Sequence, residues 1–328
     1  VTPAYSIIAE GNNITSLVRD RFLALEITDQ AGVESDRLTL TLDDRDEAIE
    51  LPRKGAKIEV SIGYVGRPLI RMGRYVVDTV QVGGPARELT INANAVDMTG
   101  GIRAPKERSW HGKTLSDIVQ KIASEHELQP SIDSALGSRS LPHVDQTESD
   151  MQFLQRLCAD NGAVCKVADG RLVVTKHASG STASGGSMPA AVILASNCGS
   201  WQATLADRGE YKSVKAGYQD LGEAERKEVA AGQGDPVMTL RNSYQNENEA
   251  KQAADSKLKA MNRGTRKVSV QDLIGDPTMS AECPATLFGF RQGIDGDGWI
   301  INSVTHSIVG DGYTCDLEIE SKSGEAEE

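Results

Sequence analysis

Apolar and polar residues alternate in short runs along most of this chain, the pattern of strands with one buried face. Glu88-Leu-Thr-Ile-Asn-Ala-Asn-Ala-Val96 and Tyr313-Thr-Cys-Asp-Leu-Glu-Ile319 carry it most plainly. From Ala4 to about Asp97 the runs predict strands at 5–8, 22–28, 37–42, 57–64, 70–82 and 88–96. Breakers separate them: a turn over Pro52 to Gly55 and another at Gly83-Gly84-Pro85. The acids at 43–47 lack the glycine and the terminal bidentate glutamate of a calcium loop, so they read as a solvated loop.

The period then changes from two to about 3.6. Thr114 is a predicted N-cap, and Leu115, Ile118, Val119, Ile122 and Ala123 follow on one helical face, with Pro130 ending the run. A second helix begins at Ser149, spaced from Gln152 as in a capping box, with Met151, Leu154, Leu157 and Cys158 as its buried stripe. Asn161-Gly162 supplies a left-handed stop, and Asp169-Gly170 joins a hairpin through a type I′ turn. Residues 108–177 thus read as a small α/β middle domain.

Residues 178–190 begin with a Ser/Gly-rich run that cannot bury enough apolar surface to order itself, and are expected to form a linker. Strand patterns return over 191–320, interrupted by a helix at 246–263. Asn246 and Glu249 have cap spacing there, Gly264 ends the helix, and the helix is expected to lie over an end or flank of the second β domain. The acidic tail, 321–328, is expected to be disordered. One stretch of this half has a twin in the first. Gly73-Arg-Tyr-Val-Val-Asp-Thr-Val-Gln81 matches Gly298-Trp-Ile-Ile-Asn-Ser-Val-Thr305 in its glycine, aromatic, two β-branched aliphatics, short polar residue, hydroxyl and valine. The fold class expected is therefore α+β, mainly β: two related antiparallel β-barrel modules, 1–107 and 191–320, around the middle domain.

A length of 328 residues accommodates two or three domains with proper cores. The net charge of −12 and pI near 5.0 argue against a protein that grips a phosphate backbone. Five cysteines, widely spaced and without a C-x-x-C pair, suggest neither a disulfide framework nor a zinc knuckle. No apolar run approaches the ~20 residues that span a bilayer, and the N-terminus lacks a signal-peptide pattern. The expectation is a soluble protein, folded in a reducing cytoplasm and not inserted in a membrane. His111, His126, His143, His177 and His306 are scattered, and there is no H-E-x-x-H, G-x-S-x-G or P-loop. No catalytic, cofactor-binding or metal-binding residue is assigned, and no enzyme is expected.

Several stretches in fixed order resemble a known family. They include Leu38-Thr-Leu-Thr-Leu-Asp-Asp-Arg-Asp46, Gly73 to Val80, Ser109-Trp-His-Gly-Lys-Thr-Leu-Ser-Asp-Ile-Val119 and Asp145-Gln-Thr-Glu-Ser-Asp-Met-Gln-Phe-Leu-Gln-Arg-Leu157. Tyr211-Lys-Ser-Val-Lys-Ala-Gly-Tyr218 and Gly298 to His306 continue the set. Together they resemble the late control D proteins of contractile-tailed phages, which are baseplate hub proteins. The Ser/Gly-rich run departs from that pattern. The resemblance implies a homotrimer assembled in the bacterial host cytoplasm and placed in the virion tail baseplate. Its two similar barrels per chain would adapt the sixfold tail tube protein to the trimeric tail spike protein, beside other baseplate proteins. DNA would pass through a central channel without specific binding. Two readings of the acidic charge stand open, a channel lining to which DNA does not adhere and an outer surface kept soluble. An alternative reading is a peptidoglycan-binding or wall-degrading tail component, because Trp110-His-Gly-Lys-Thr-Leu and the following helix loosely resemble a LysM unit.

Overall fold

A computed structural model describes residues 2–32, 36–95, 101–205, 211–220, 225–263 and 266–322. The predicted stop at Gly264 and residues 323–328 of the tail lie outside the described residues, whereas Ser321, expected to be disordered, ends the last strand, and the Lys322 amide bonds to Gly298.

In the first part, β1 (Pro3–Ala9), β2 (Asn12–Asn13) and the short α1 (Thr15–Val18) precede β3 (Phe22–Gln30), β4 (Arg37–Asp43), β5 (Lys57–Tyr64), β6 (Ile70–Gly83) and β7 (Glu88–Asn94). The middle part holds β8 (Arg108–Thr114), α2 (Leu115–Glu125), β9 (Gln129–Ile132), α3 (Ser134–Gly137), β10 (Ser140–Gln146), α4 (Asp150–Asp160), β11 (Ala163–Ala168) and β12 (Arg171–Lys176). The last part runs through β13 (Ala191–Leu194), β14 (Ser200–Leu205), β15 (Ser213–Asp220), β16 (Glu225–Gly232), β17 (Val237–Tyr244), α5 (Glu247–Arg263), β18 (Arg266–Ile274), β19 (Pro284–Phe288), β20 (Gly296–Val309) and β21 (Gly312–Ser321).

The two expected barrels are corrected to one open sheet. Its thirteen strands run β14-β18-β21-β20-β3-β4-β7-β6-β5-β1-β2, with β19 and β13 branching from β20, and among the described residues no barrel closes. The reason lies at one junction. Residues 303–309 of β20 pair with β21 on one side and with residues 24–30 of β3, not with β14, on the other, so one core cluster takes residues from both halves. The halves nevertheless repeat one strand order: β3-β4-β7-β6-β5-β1 corresponds to β14-β18-β21-β20-β19-β13. Each contains a 14-residue strand whose register slips at the same motif position, between Val77 and Thr79 in β6 and between Ile301 and Ser303 in β20. Such bulges bend a strand locally. Val77 exchanges hydrogen bonds with Gly55 and Ala56, as Ile301 does with Glu282 and Cys283. The halves differ in that β1 pairs antiparallel with β5, whereas β13 runs parallel to β19.

The middle domain has its own core, filled by one face each of α2 and α4. Thr114 and Asp117 complete a capping box, Ser149 caps α4, and Gly162, Asp169 and Gly170 take the left-handed backbone their turns require. Pro130 does not end α2, which stops at Glu125. It lies in β9, on the edge of a three-stranded sheet, where its missing N–H costs no central ladder bond.

Helix α5 does not cover the large sheet. It packs on a separate three-stranded sheet, β16-β15-β17, with a small core of its own around Val214, Ala216, Ala250 and Ala254. Residues 213–263 are thus a lobe inserted between β14 and β18. The sequence concealed it because its strands alternate like those of the large sheet. The Ser/Gly-rich run is more than a bare linker. Glu282 accepts from the Ala178 amide at 2.7 Å and pairs with His177 at 2.8 Å, and Met188 bonds back to Gly180. Backbone bonds do here what apolar burial could not.

Candidate functional site

Strand alternation gives the large sheet two unlike faces. One carries the core residues. The other carries Thr28, Thr39, Thr41, Thr90, Asn92, Ser269, Ser303, Thr305 and their neighbours, with Glu26, Asp43, Glu88, Asp316 and Glu318 set against Arg37 and Lys267. Short polar contacts tie this face together across the strands: Thr28 to Thr305 at 3.2 Å, Thr39 to Asn92 at 3.1 Å and Ser269 to Glu318 at 2.8 Å.

The middle domain is fastened on the opposite, core side. Lys166, the one charged residue in the otherwise apolar β11, points away from its own core and reaches Asp29 at 2.5 Å and Asp36 at 3.6 Å. Asp29 also accepts the Ala281 amide at 3.0 Å, so one carboxylate joins the first half, the middle domain and the second half. Burial raises the Asp29 carboxyl, but Lys166 and its hydrogen bonds prevail and hold it below its ordinary value. Asp36 is pushed by burial up to about 7, against the Lys166 charge and with the help of Asp29. Two carboxylates sharing one ammonium cannot both ionise cheaply.

Inside the middle domain, Asp150 is the reverse case. Its fully buried carboxylate receives Lys106 and Arg108 at 2.5 Å each, Gln146 at 2.7 Å and His126 at 2.8 Å. Burial raises Asp150, yet these hydrogen bonds and the Arg108 charge outweigh it and keep the carboxyl below its ordinary value. Glu125, His126 and Asp150 converge closely enough to hold a metal ion, but Lys106 and Arg108 already supply the positive charge to Asp150 and Glu125. Arg108 also stacks on Trp110, 4.5 Å from the ring centre. Trp110 and Leu115 thus fill the core of the middle domain, while His111, Gly112 and Lys113 between them are exposed.

A third cluster resembles a nucleophile and base in its residue types. His306 Nδ1 lies 2.8 Å from the Tyr313 hydroxyl and 3.2 Å from Cys315 Sγ, and its Nε2 lies 3.2 Å from the Met279 carbonyl. Burial pushes Cys315 up to about 11 and His306 down to about 4. Both shifts favour neutral groups, the opposite of the thiolate and imidazolium pair that a cysteine nucleophile needs. The carbonyl can only accept, which places the His306 proton on Nε2 and leaves Nδ1 to accept from Tyr313. This is a satisfied core.

The histidines that read as scattered are partly brought together. His111 and His143 face each other across β8 and β10 with ring nitrogens 2.9 Å apart, in an exposed position. Their sequence signal was weak, since they are 32 residues apart. The cleft between middle domain and inserted lobe, about 620 Å³, is lined by Arg156, Asp160, Val164, Tyr244 and Ser256. Tyr244 donates to Asp160 there at 3.3 Å and Gln252 to Asn161 at 3.0 Å. These contacts hold the two units against each other. What the molecule presents outward is a polar sheet face and strand edges, the features of an assembly component.

Comparison with known proteins agrees. The family model described as "Phage tail baseplate hub (GPD)" matches residues 35–312. The chain is 31% identical over its whole length to the probable baseplate hub proteins of Escherichia phages 186 and P2, covering 95% of each. Among solved structures, a 43 kDa tail protein of prophage MuSo2 from Shewanella oneidensis superposes with a TM-score of 0.72 at 15% identity, over 98% of this chain and 99% of that one. A tail protein from Neisseria meningitidis MC58 gives 0.74 at 14%, over 98% and 97%. The c3393 protein of E. coli, a component of the type VI secretion system, gives 0.55 at 13%, over 94% and 76%. A match of this extent to the family model and to both phage relatives means that the chain belongs to the phage tail baseplate hub (GPD) family and is a component of the virion tail baseplate.

Proposed function

We propose that the chain is a structural, non-enzymatic hub that closes as a homotrimeric ring between the tail tube and the trimeric spike, with other baseplate proteins around it. The observation that carries this reading is the strand order repeated within one sheet. Three chains with two equivalent halves offer six similar surfaces to a sixfold tube, while the true threefold axis suits a spike. On this reading residues 1–107 and 191–320 are the two related hub modules, and 108–177 is a bracket outside them.

The fastening of the middle domain on the core side leaves the hydroxyl- and amide-rich face for the channel. Such a lining offers DNA no run of cations to grip. It carries an acidic excess, Glu26, Asp43, Glu88, Asp316 and Glu318 against Arg37 and Lys267. The double variant Glu26→Lys with Glu318→Lys is expected to slow DNA ejection, measured by release from purified particles; normal ejection would defeat the channel assignment. The reading as a whole is tested by the absolute mass of the purified protein across a concentration series, with rings viewed end-on by electron microscopy. A trimer is expected. A stable dimer would overturn it.

A further inference from the structure

The junction inside the chain predicts the junction between chains. The two ladders align the halves residue by residue. Leu25 and Ile27 of β3 lie opposite Leu40 and Leu38, as Trp201 and Ala203 of β14 lie opposite Val270 and Val268. Leu38 in turn faces Ala93, which faces Val77, just as Val268 faces Ile319, which faces Ile301. In this alignment β14 stands where β3 stands, and β6 where β20 stands. Yet β3 and β20 are joined, whereas β14 ends the sheet, and residues 79–83 of β6 have β7 as their one strand partner among the described residues.

Exposure marks the same difference. At the closed junction Leu25, Ile27 and His306 are each 1% exposed. The counterparts of Leu25 and His306, Trp201 and Val82, are 38% and 58% exposed, Ala203, the counterpart of Ile27, is half-buried, and Leu205, the counterpart of Asp29, is 54% exposed. Bare apolar strand edges are what native proteins cover. The two edges are different surfaces, so pairing them joins chains head to tail, and such a contact gives a ring when the rotation closes.

We propose that β14 of one chain pairs antiparallel with residues 79–83 of β6 in the next copy, in the register already used between β3 and β20. Thr28 opposite Thr305 and Asp29 opposite Val304 then become Thr204 opposite Gln81 and Leu205 opposite Val80. The inference rests on the ring reading above and adds the contact that closes the ring.

The test is oxidative cross-linking of the double variant Gln81→Cys with Thr204→Cys, in purified protein and in assembled tails. The single variants serve as background. The pair Thr28→Cys with Thr305→Cys is the internal standard, since those side chains already meet across the intrachain junction and directly opposed strand residues satisfy disulfide geometry. Cross-linked species that stop at three chains are expected, with loss of the link when Gln202→Cys replaces Thr204→Cys. Absence of the link in both preparations, while the internal standard oxidises, would overturn the junction. A trimer by mass without this link would leave the ring reading standing and remove the proposed contact. A ladder extending beyond three would keep the contact and remove the trimer.

Discussion

Asp150 and Lys166 each sit among more than one group of opposite sign, and the balance of charge decides how each behaves. Around Asp150 two cations, Lys106 and Arg108, match two carboxylates, Asp150 and Glu125, so both carboxyls are held below their ordinary values and the middle domain is held from within. Around Lys166 the carboxylates are in excess, so one of them, Asp36, holds its proton up to about 7. The first cluster locks a domain and the second fastens that domain to the sheet. A buried ion pair is a poor guide to stability until its net charge is counted.

The contrast is broken most strongly at Lys166. Lys166→Met leaves two carboxylates without their ammonium, and the expected loss is about 3 to 5 kcal/mol in denaturant unfolding, with the middle domain released from the sheet. Asp150→Asn is expected to cost less, about 2 to 3 kcal/mol, because Lys106 and Arg108 keep Glu125 as a partner. A larger loss at Asp150 than at Lys166 would reverse the comparison.

The pH dependence sharpens it, because the two clusters have opposite signs. Asp36 is raised in the folded state, so its contribution is fully present below its ordinary value of 3.8 and is lost as pH rises through about 7. Asp150 is lowered, so its contribution is present above the ordinary carboxylate range and is lost as pH falls through its folded value. Melting temperatures of wild type and Asp36→Asn should therefore differ by an amount that changes between pH 4 and pH 7, and a constant difference would remove Asp36 from the account. The smallest effect is expected from Arg108→Lys, about 1 kcal/mol, through loss of the planar stack on Trp110 with the charge kept.

The helices and turns of the middle domain were legible in the sequence because their signals are local. Thr114, Ser149, Gly162 and Asp169-Gly170 each act within a few residues of themselves. The twin motif was legible too, since Tyr75 and Trp299 both fill buried positions in strands of equal length. The joining of the two halves into one sheet was not. It depends on which strand β20 pairs with, and alternation specifies a face without naming a partner. The clusters were hidden for a related reason. Asp29, Asp36 and Lys166 look like ordinary polar positions until folding crosses 137 residues to bring the first and last together. The inserted lobe shows a further limit, since an interrupted β domain and two separate sheets produce one hydropathy pattern.

The β3–β20 junction also sets an order in time. Thr28 and Thr305 meet across 277 residues, so a growing chain exposes the β3 edge for nearly the whole of its synthesis and covers it only when β20 has emerged. Contacts of such sequence separation form late, after much loop-closure entropy has been lost. An unfinished chain offers β3, the structural counterpart of β14, to the β6 edge of its neighbours. Under the proposed pairing, completion of the polypeptide withdraws that edge and leaves β14 as the edge for assembly. A truncated hub gene would yield chains that compete with finished ones instead of merely being absent.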